Sequence, residues 1–195
     1  MFRAAWVAVR TLLRPLFCFR VEGLERFPAG PAVLIANHPS ALDPLFLAAA
    51  VPERLLFLAA AEFFALPAVG WVMRTYGSIP VRRGEVDAAA VRGALLALEG
   101  GRKVAVFPEG RVTPQPDGRP VHRGAALLAA RAGVPMVPVA IAGTGRVFPL
   151  GAWFPRPGRV TVRIGPPLPP PGAERASQDA ATEAAMAWIH AHSAR

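Results

Sequence analysis

Apolar residues recur along the chain in two patterns, which predict two kinds of element. Short, mostly apolar runs of four to six residues predict strands, and these lie at residues 33–36, 55–59, 78–81, 104–107, 136–141 and 160–164. Apolar residues spaced three or four apart predict helices, and these lie at residues 41–50, 62–74, 86–99, 124–132 and 174–190. This alternation is typical of an α/β domain whose helices flank a mostly parallel or mixed central sheet.

The first 19 residues predict an amphipathic helix ahead of that domain. On a helical wheel the basic residues Arg3, Arg10 and Arg14 share one arc, and the apolar residues Phe2, Val9, Leu12, Leu13 and Leu16 share another. Pro15 is expected to kink or divide the helix. One basic and one apolar side are typical of a segment that lies in a membrane interface. The pattern also fits a helix packed on the domain's own core, and both interpretations stay open here.

Residues 55–73 form the most apolar stretch of the chain, "LLFLAAAEFFALPAVGWVM". Its length meets the roughly 18 residues that a membrane-spanning helix needs. Glu62, Pro67 and Gly70 argue against such a helix, because a carboxylate in the middle of a bilayer is costly without a partner. We expect a buried strand followed by an amphipathic helix that begins near Glu62, and entry of this stretch into the bilayer stays an open alternative.

Length and cysteine content narrow the class of protein. At 195 residues the chain has the length of about one domain, which we place at residues 20–195 behind the interface helix at residues 1–19. Cys18 is the only cysteine, so no intrachain disulfide can form and a reducing compartment fits best. Three histidines, His122, His190 and His192, show no ligand spacing with a carboxylate cluster, so we expect no metal site.

The charge of the chain is strongly positive. There are 22 basic and 13 acidic residues, a formal net charge of +9. Such a chain attracts anions, for example anionic lipid headgroups, an acidic carrier protein or nucleic acid. We expect no nucleic-acid partner, because the chain has one tyrosine, no recognisable binding module and no interleaving of basic with aromatic residues.

The segment "LIANHPSALDPLF" places titratable groups where a strand gives way to a helix. His38 follows the strand and Asp43 opens the helix, so both can face the carboxyl-end edge of the sheet, where α/β folds usually keep their sites. A carboxylate on Nδ1 would leave Nε2 as a base for a hydroxyl that the substrate supplies. In the alternative, Asp43 and Pro44 only begin the helix as cap and first residue, and His38 is an ordinary loop residue.

A second segment, "VAVFPEGRVTP", ends another predicted strand with charged groups. Glu109 and Arg111 follow that strand and flank Gly110 on a loop at the same edge of the sheet. The Arg111 guanidinium is suited to a bidentate contact with phosphate. A glutamate and an arginine beside a strand are also a common structural ion pair, so this segment is not decisive alone.

Together the segments resemble the glycerolipid acyltransferase family of the 1-acylglycerol-3-phosphate (lysophosphatidate) acyltransferase type. "NHPSALDP" resembles the family's His-x-x-x-x-Asp block and "FPEGR" its Phe-Pro-Glu-Gly block. "YGSIPVRR" resembles its Gly-x-Ile-x-Val-x-Arg segment and "VPMVPVAI" its Val-Pro-Val block. The similarity runs from about Val21 to Gly165.

The resemblance implies an acyltransferase fold, peripheral attachment to the cytoplasmic face of the cell membrane, and acyl transfer to a lysophospholipid hydroxyl. The acyl thioester, acyl-CoA or acyl carrier protein, is the co-substrate, and no other cofactor is implied. Carried over to this chain, His38 is the general base and Asp43 orients it. The implied substrate-binding residues are Glu109, Gly110, Arg111, Arg82 and Arg83.

One departure from the family pattern concerns the acceptor. Many members carry a lysine shortly before the acid of the segment that follows the first block, where this chain has "AAAEFF". We expect lysophosphatidate as the acceptor and phosphatidate as the product. A lysolipid with another headgroup is one alternative, and a lipid-binding module without catalysis is the other.

Overall fold

The computed structural model describes residues 2–65, 67, 70, 73–74, 77–82, 87–114 and 121–193. Within them, seven strands form one sheet: β1 Arg20–Glu22, β2 Val33–Ala36, β3 Leu55–Ala60, β4 Ile79–Val81, β5 Lys103–Val106, β6 Met136–Ala142 and β7 Thr161–Ile164. The helices are α1 Phe2–Phe17, α2 Asp43–Ala50, α3 Ala88–Glu99, α4 Gly124–Ala132, α5 Thr144–Val147 and α6 Arg175–Ser193. Two 3-10 turns lie at Leu24–Arg26 and Ala61–Ala65.

The strands follow the order β1-β7-β6-β2-β5-β3-β4 across a mixed sheet. The five strands from β6 to β4 are parallel to one another, whereas β7 is antiparallel to β6 and β1 is parallel to β7. The carboxyl ends of β6, β2, β5, β3 and β4 therefore meet at one edge. Among the described residues, the candidate site residues lie on loops that leave this edge or, for Asp43, in the first turn of α2.

Helices cover both faces of the sheet. On β2, Leu34 faces the core that α1 and α2 complete, while Val33 and Ile35 face the core formed with α3, α4 and α6. Successive side chains of a strand point to opposite faces, so a strand buried on both faces must be apolar throughout. This is why the central strands are recognisable as continuous apolar runs, and it confirms the predicted α/β fold class.

The six predicted strands all form, and each end lies within one residue of its prediction. Strand β1 was not predicted, because Arg20–Glu22 is short, polar and at the edge of the sheet. The prediction of a helix from Glu62 was wrong at its start, since Ala61–Ala65 is a 3-10 turn, and parts of residues 66–74 lie outside the description. Strand β3 belongs to the sheet, and none of the described helices is long and apolar enough to span a bilayer.

Helix α1 divides its apolar side between the core and solvent. Leu13 and Phe17 are buried, and the Phe17 ring meets the edge of Phe46 of α2 at a centroid distance of 5.4 Å. Leu12 and Leu16 remain 64% and 47% exposed. The helix continues through Pro15 to Phe17, so the proline does not divide it. The interpretation of a helix packed on the domain therefore holds for one stripe of α1. The other stripe stays uncovered, and its place in a membrane interface stays a prediction.

The basic side of α1 is not wholly in solvent either. Arg10 Nη1 donates to the Ala50 carbonyl at 3.4 Å, and its guanidinium lies 5.1 Å from the centre of the Trp6 ring. Partial burial, with a smaller contribution from Arg14, lowers the pKa of Arg10 from its usual value. This contact holds the middle of α1 against the end of α2.

Candidate active site

His38 and Asp43 meet at the carboxyl-end edge of the sheet. The His38 ring nitrogen Nδ1 lies 2.8 Å from Asp43 Oδ2, with the Asp43 side chain fully buried and the His38 side chain 15% exposed. The backbone N–H of Ser40 donates to the same oxygen at 2.7 Å. A buried carboxylate with these two partners fixes the orientation of the imidazole.

Asp43 does not act as the cap of α2. The helix begins at Asp43, and the preceding position is Leu42, which offers no capping side chain. The two partners of Oδ2, His38 and Ser40, both precede Asp43 in the chain. The carboxylate therefore points back toward the strand end, as the histidine-pair interpretation requires and the cap interpretation does not.

Burial raises the pKa of the Asp43 carboxyl above its usual value. Contacts with His38, and smaller ones with Thr144 and Ser40, oppose that effect. Asp43 Oδ1 and Thr144 Oγ1 are both buried, and neither makes a hydrogen bond of standard geometry to the described residues. Thr144 thus lies close enough to the carboxylate to lower its pKa slightly, a position that the sequence did not indicate.

Asn37 fixes the end of β2 just before His38. Its Nδ2 donates to the Ile141 carbonyl at 2.9 Å, and its Oδ1 accepts from the Ile141 N–H at 2.8 Å. This two-point contact extends the pairing of β2 with β6 by one residue and satisfies buried backbone groups. His38 consequently leaves the sheet from a rigid position.

The Phe107 ring packs against the face of the His38 imidazole. The Phe107 and His38 rings stack at a centroid distance of 4.2 Å with 22° between their planes, and Phe57 continues the stack at 6.3 Å. Sequence reasoning missed both phenylalanines as site residues. The available signal was the position of Phe107, directly before the Pro-Glu-Gly turn on the strand next to β2.

Glu109, on the loop after β5, contacts the backbone of His38. Its Oε2 accepts the His38 backbone N–H at 3.2 Å, and the Thr113 N–H donates to the His38 carbonyl at 2.7 Å. Burial raises the pKa of the Glu109 carboxyl, against smaller opposing contacts with Thr113 and His38. The structure thus brings His38, Asp43 and Glu109 into one cluster.

The remaining predicted residues lie at differing distances from this cluster. Gly110 turns the loop with a φ of 66°, and its N–H donates to the Phe107 carbonyl at 3.0 Å. Arg111 follows it on the same loop and is partly buried. Arg82 is exposed after β4, two strands from β5 and so about 10 Å across the sheet. Arg83 lies outside the described residues.

The geometry suits proton abstraction from a substrate hydroxyl. Asp43 holds Nδ1, so the imidazole presents Nε2 on its other side, where no hydrogen bond to a described residue occupies it. A base oriented in this way can take a proton from a hydroxyl and stabilise the charge that it gains through its carboxylate partner.

Comparison with known proteins identifies the family of the chain. A family model described as "Acyltransferase" matches residues 18–142, well over half of the chain and all of the cluster. The chain belongs to this acyltransferase family.

Its relatives name a more particular activity. The chain is 32% identical over 155 residues to the chloroplastic 1-acyl-sn-glycerol-3-phosphate acyltransferase BAT2 of Brassica napus, covering 75% of this chain and 43% of the relative. It is 36% identical over 137 residues to a lyso-ornithine lipid O-acyltransferase of Pseudomonas aeruginosa, covering 70% and 52%. The chain spans less than half the length of the plant relatives that it matches.

A solved structure matches the whole chain. The crystal structure of the 1-acyl-sn-glycerophosphate (LPA) acyltransferase PlsC from Thermotoga maritima superposes with a TM-score of 0.77 at 28% sequence identity. The match covers 100% of this chain and 82% of the other. The fold, with its N-terminal helix, is therefore that of this acyltransferase.

Proposed function

We propose that the protein transfers a fatty acyl group from an acyl thioester to the hydroxyl of a lysophospholipid, with His38 and Asp43 as the general-base pair. The observation that carries the proposal is the 2.8 Å contact between His38 Nδ1 and the fully buried Asp43 carboxylate. It stands on a fold whose family transfers acyl groups. The names of the relatives favour lysophosphatidate as the acceptor and phosphatidate as the product.

The reaction needs no enzyme nucleophile. The acceptor hydroxyl donates a hydrogen bond to His38 Nε2, and its oxygen attacks the thioester carbonyl as Nε2 takes the proton. Asp43 stabilises the imidazolium that forms. The tetrahedral intermediate then expels the thiolate, which takes the proton from Nε2, so the base is regenerated and the products are an ester and a thiol.

Glu109 and the loop that follows it would bind the acceptor. Glu109 holds the backbone of His38, and Arg111 is the basic side chain nearest to it along the loop. We assign the acceptor phosphate to Arg111, because guanidinium groups bind phosphate in bidentate fashion. Arg82, which follows β4, and its sequence neighbour Arg83 would contribute. Gly110 lets the loop turn between the acid and the base.

A lysolipid with another headgroup is the second candidate acceptor. The relative that acylates lyso-ornithine lipid is 36% identical to this chain over 137 residues. The residues before Glu62 are alanines and offer a phosphomonoester no charge. Both observations favour testing an acceptor without a terminal phosphate beside lysophosphatidate.

The site of action would be the cytoplasmic face of the membrane, with peripheral attachment. The uncovered Leu12 and Leu16 of α1, together with the net charge of +9, fit an anionic bilayer surface. The charge also suits either acyl donor, since acyl-CoA and acyl carrier protein are both anionic.

The test is a matrix of acceptors and donors offered to the full chain. Lysophosphatidate and lyso-ornithine lipid are each paired with acyl-CoA and with acyl carrier protein thioester, and mass spectrometry detects the acylated product. His38→Ala should abolish the product, whereas His190→Ala, an exposed histidine on α6, should not. Vesicle binding without product in every pairing would instead favour the lipid-binding module.

A further inference from the structure

The loop at residues 148–159, here called the Trp153 loop, exposes large apolar side chains. It connects α5 to β7. Leu150, Trp153 and Phe154 are 71%, 90% and 80% exposed, the highest values among the large apolar residues of the described chain. Side chains of this kind, gathered on one loop, mark an interaction surface.

The stretch of sequence that contains the loop is basic. From Gly118 to Ala173 the sequence contains seven arginines and no aspartate or glutamate. Three of those arginines, Arg146, Arg156 and Arg159, are exposed on or beside the loop. An apolar loop tip surrounded by arginines is complementary to a surface that has an apolar interior and anionic groups on its outside.

Both ends of the loop are tied to functional parts of the molecule. The Phe148 carbonyl accepts from Ser40 Oγ at 2.9 Å, and Ser40 in turn contacts Asp43. At the other end, the N–H of Val160 donates to the Phe17 carbonyl at 2.9 Å, where α1 ends. The Trp153 loop therefore joins the catalytic edge of the sheet to the helix with the uncovered leucines.

We propose that the Trp153 loop is a second membrane contact, which inserts Trp153 and Phe154 into the interfacial region of an anionic bilayer. Aromatic rings concentrate at the headgroup level of membranes, and arginines bind the lipid phosphates there. Attachment through one weak apolar segment is marginal, and a second signal makes it stable. Leu12 and Leu16 of α1 are the first signal and the Trp153 loop is the second.

This arrangement would also aim the active site. Because the loop begins at the Ser40 contact, its insertion holds the His38 edge of the sheet close to the lipid headgroups. An acceptor hydroxyl could then reach Nε2 without leaving the bilayer. This last consequence rests on the proposed function, whereas the membrane contact itself does not.

The binding test uses vesicles of equal parts phosphatidylglycerol and phosphatidylcholine, with no substrate. The double variant Trp153→Ala, Phe154→Ala should partition into sedimenting vesicles at least about tenfold more weakly than the native chain, because two rings lose their burial. The matched control is Leu96→Ala on α3, which removes another exposed apolar side chain and should leave partition unchanged. Thermal unfolding checks that all variants fold.

A spectroscopic test locates the side chain directly. Vesicles with brominated acyl chains should quench more tryptophan fluorescence in the native chain than in Trp153→Phe, and the difference belongs to Trp153. Equal quenching, or unchanged partition of the double variant, would overturn the proposal. So would a native dimer that the double variant converts to a monomer with no loss of vesicle binding, since a second copy would then cover the loop. His38→Ala should bind vesicles like the native chain, so a failure of the catalytic proposal remains distinguishable.

Discussion

The backbone N–H of His38 donates a hydrogen bond to Oε2 of Glu109 at 3.2 Å, across 71 residues of sequence. The bond connects the loop after β2 to the loop after β5. A second bond, from the Thr113 N–H to the His38 carbonyl, connects the same two loops. Glu109 therefore holds His38 in position through its backbone. Two segments that are separate in sequence form one rigid unit.

Glu109→Gln separates that positioning role from the charge. Burial raises the pKa of Glu109 in the folded state, so above its unfolded-state pKa the ionised carboxyl disfavours folding, and the penalty disappears as pH falls below about 4.3. Glutamine keeps an acceptor oxygen for the His38 N–H. We expect a higher melting temperature than native at pH 7 and an equal one near pH 3.5, with reduced acyl transfer. A lower melting temperature at pH 7 would show that the ionised hydrogen bonds outweigh the cost of burial.

Gly110→Ala tests the turn that carries Glu109 and Arg111. The φ of Gly110 is 66°, which costs a residue with a Cβ roughly 1–2 kcal/mol, or about 2–8 °C in melting temperature at this chain length. Gly133→Ala is the matched control, because its φ is 64° and the added Cβ would meet open space at the end of α4. Thermal unfolding should register both losses, but only Gly110→Ala should lose activity. Equal activities would mean that the exact course of the turn does not matter.

Arg111→Ala tests the proposed phosphate contact. Losing a binding contact that the ground and transition states share raises KM, so the KM for lysophosphatidate should rise more than the KM for the acyl donor. The control is Arg102→Ala, an exposed arginine at the amino end of the same strand, β5. Steady-state kinetics with each substrate varied in turn decides the matter, and equal changes in both KM values would remove Arg111 from this role.

We expect substitutions in the exposed stripe of α1 and in its buried stripe to have opposite effects on vesicle binding and on stability. Leu12→Asn with Leu16→Asn should weaken binding to anionic vesicles and leave the melting temperature nearly unchanged, because both side chains are exposed. Leu13→Ala, next to them in sequence, should cost on the order of 2 kcal/mol of stability, because Leu13 is buried against the core. Vesicle sedimentation and thermal unfolding measure the two effects. Intact vesicle binding in the asparagine variant would show that α1 does not contact the membrane through Leu12 and Leu16.

The sequence predicts most of this fold because the central strands are buried on both faces and therefore continuously apolar. It does not predict β1, because Arg20 and Glu22 lie at the edge of the sheet, where they are exposed and need not be apolar. The division of α1 was also beyond it, since Leu12 and Leu13 share one apolar arc and only the neighbouring α2 determines which is covered.

The candidate site, like the fold, can be predicted only in part from the sequence. Spacing brings His38, Asp43 and Glu109 to one edge, because parallel strands end there. Spacing cannot tell a helix cap from a histidine partner, since an aspartate in the first turn of a helix serves either role; the direction of the Asp43 carboxylate decides it. The Phe107 stack depends on the register between β2 and β5, which a sequence does not record.

If His38 and Asp43 act as one base, the kcat of the Asp43→Asn variant depends on the lost carboxylate. Asparagine keeps an oxygen for the Ser40 N–H and removes a buried charge, so the variant should fold. It cannot hold the His38 tautomer or stabilise the imidazolium, so we predict that kcat falls by about two orders of magnitude or more. Adding His38→Ala should lower the rate little below that of His38→Ala alone. A folded Asp43→Asn variant that keeps most of its acyl-transfer rate would show that Asp43 takes no part in the base.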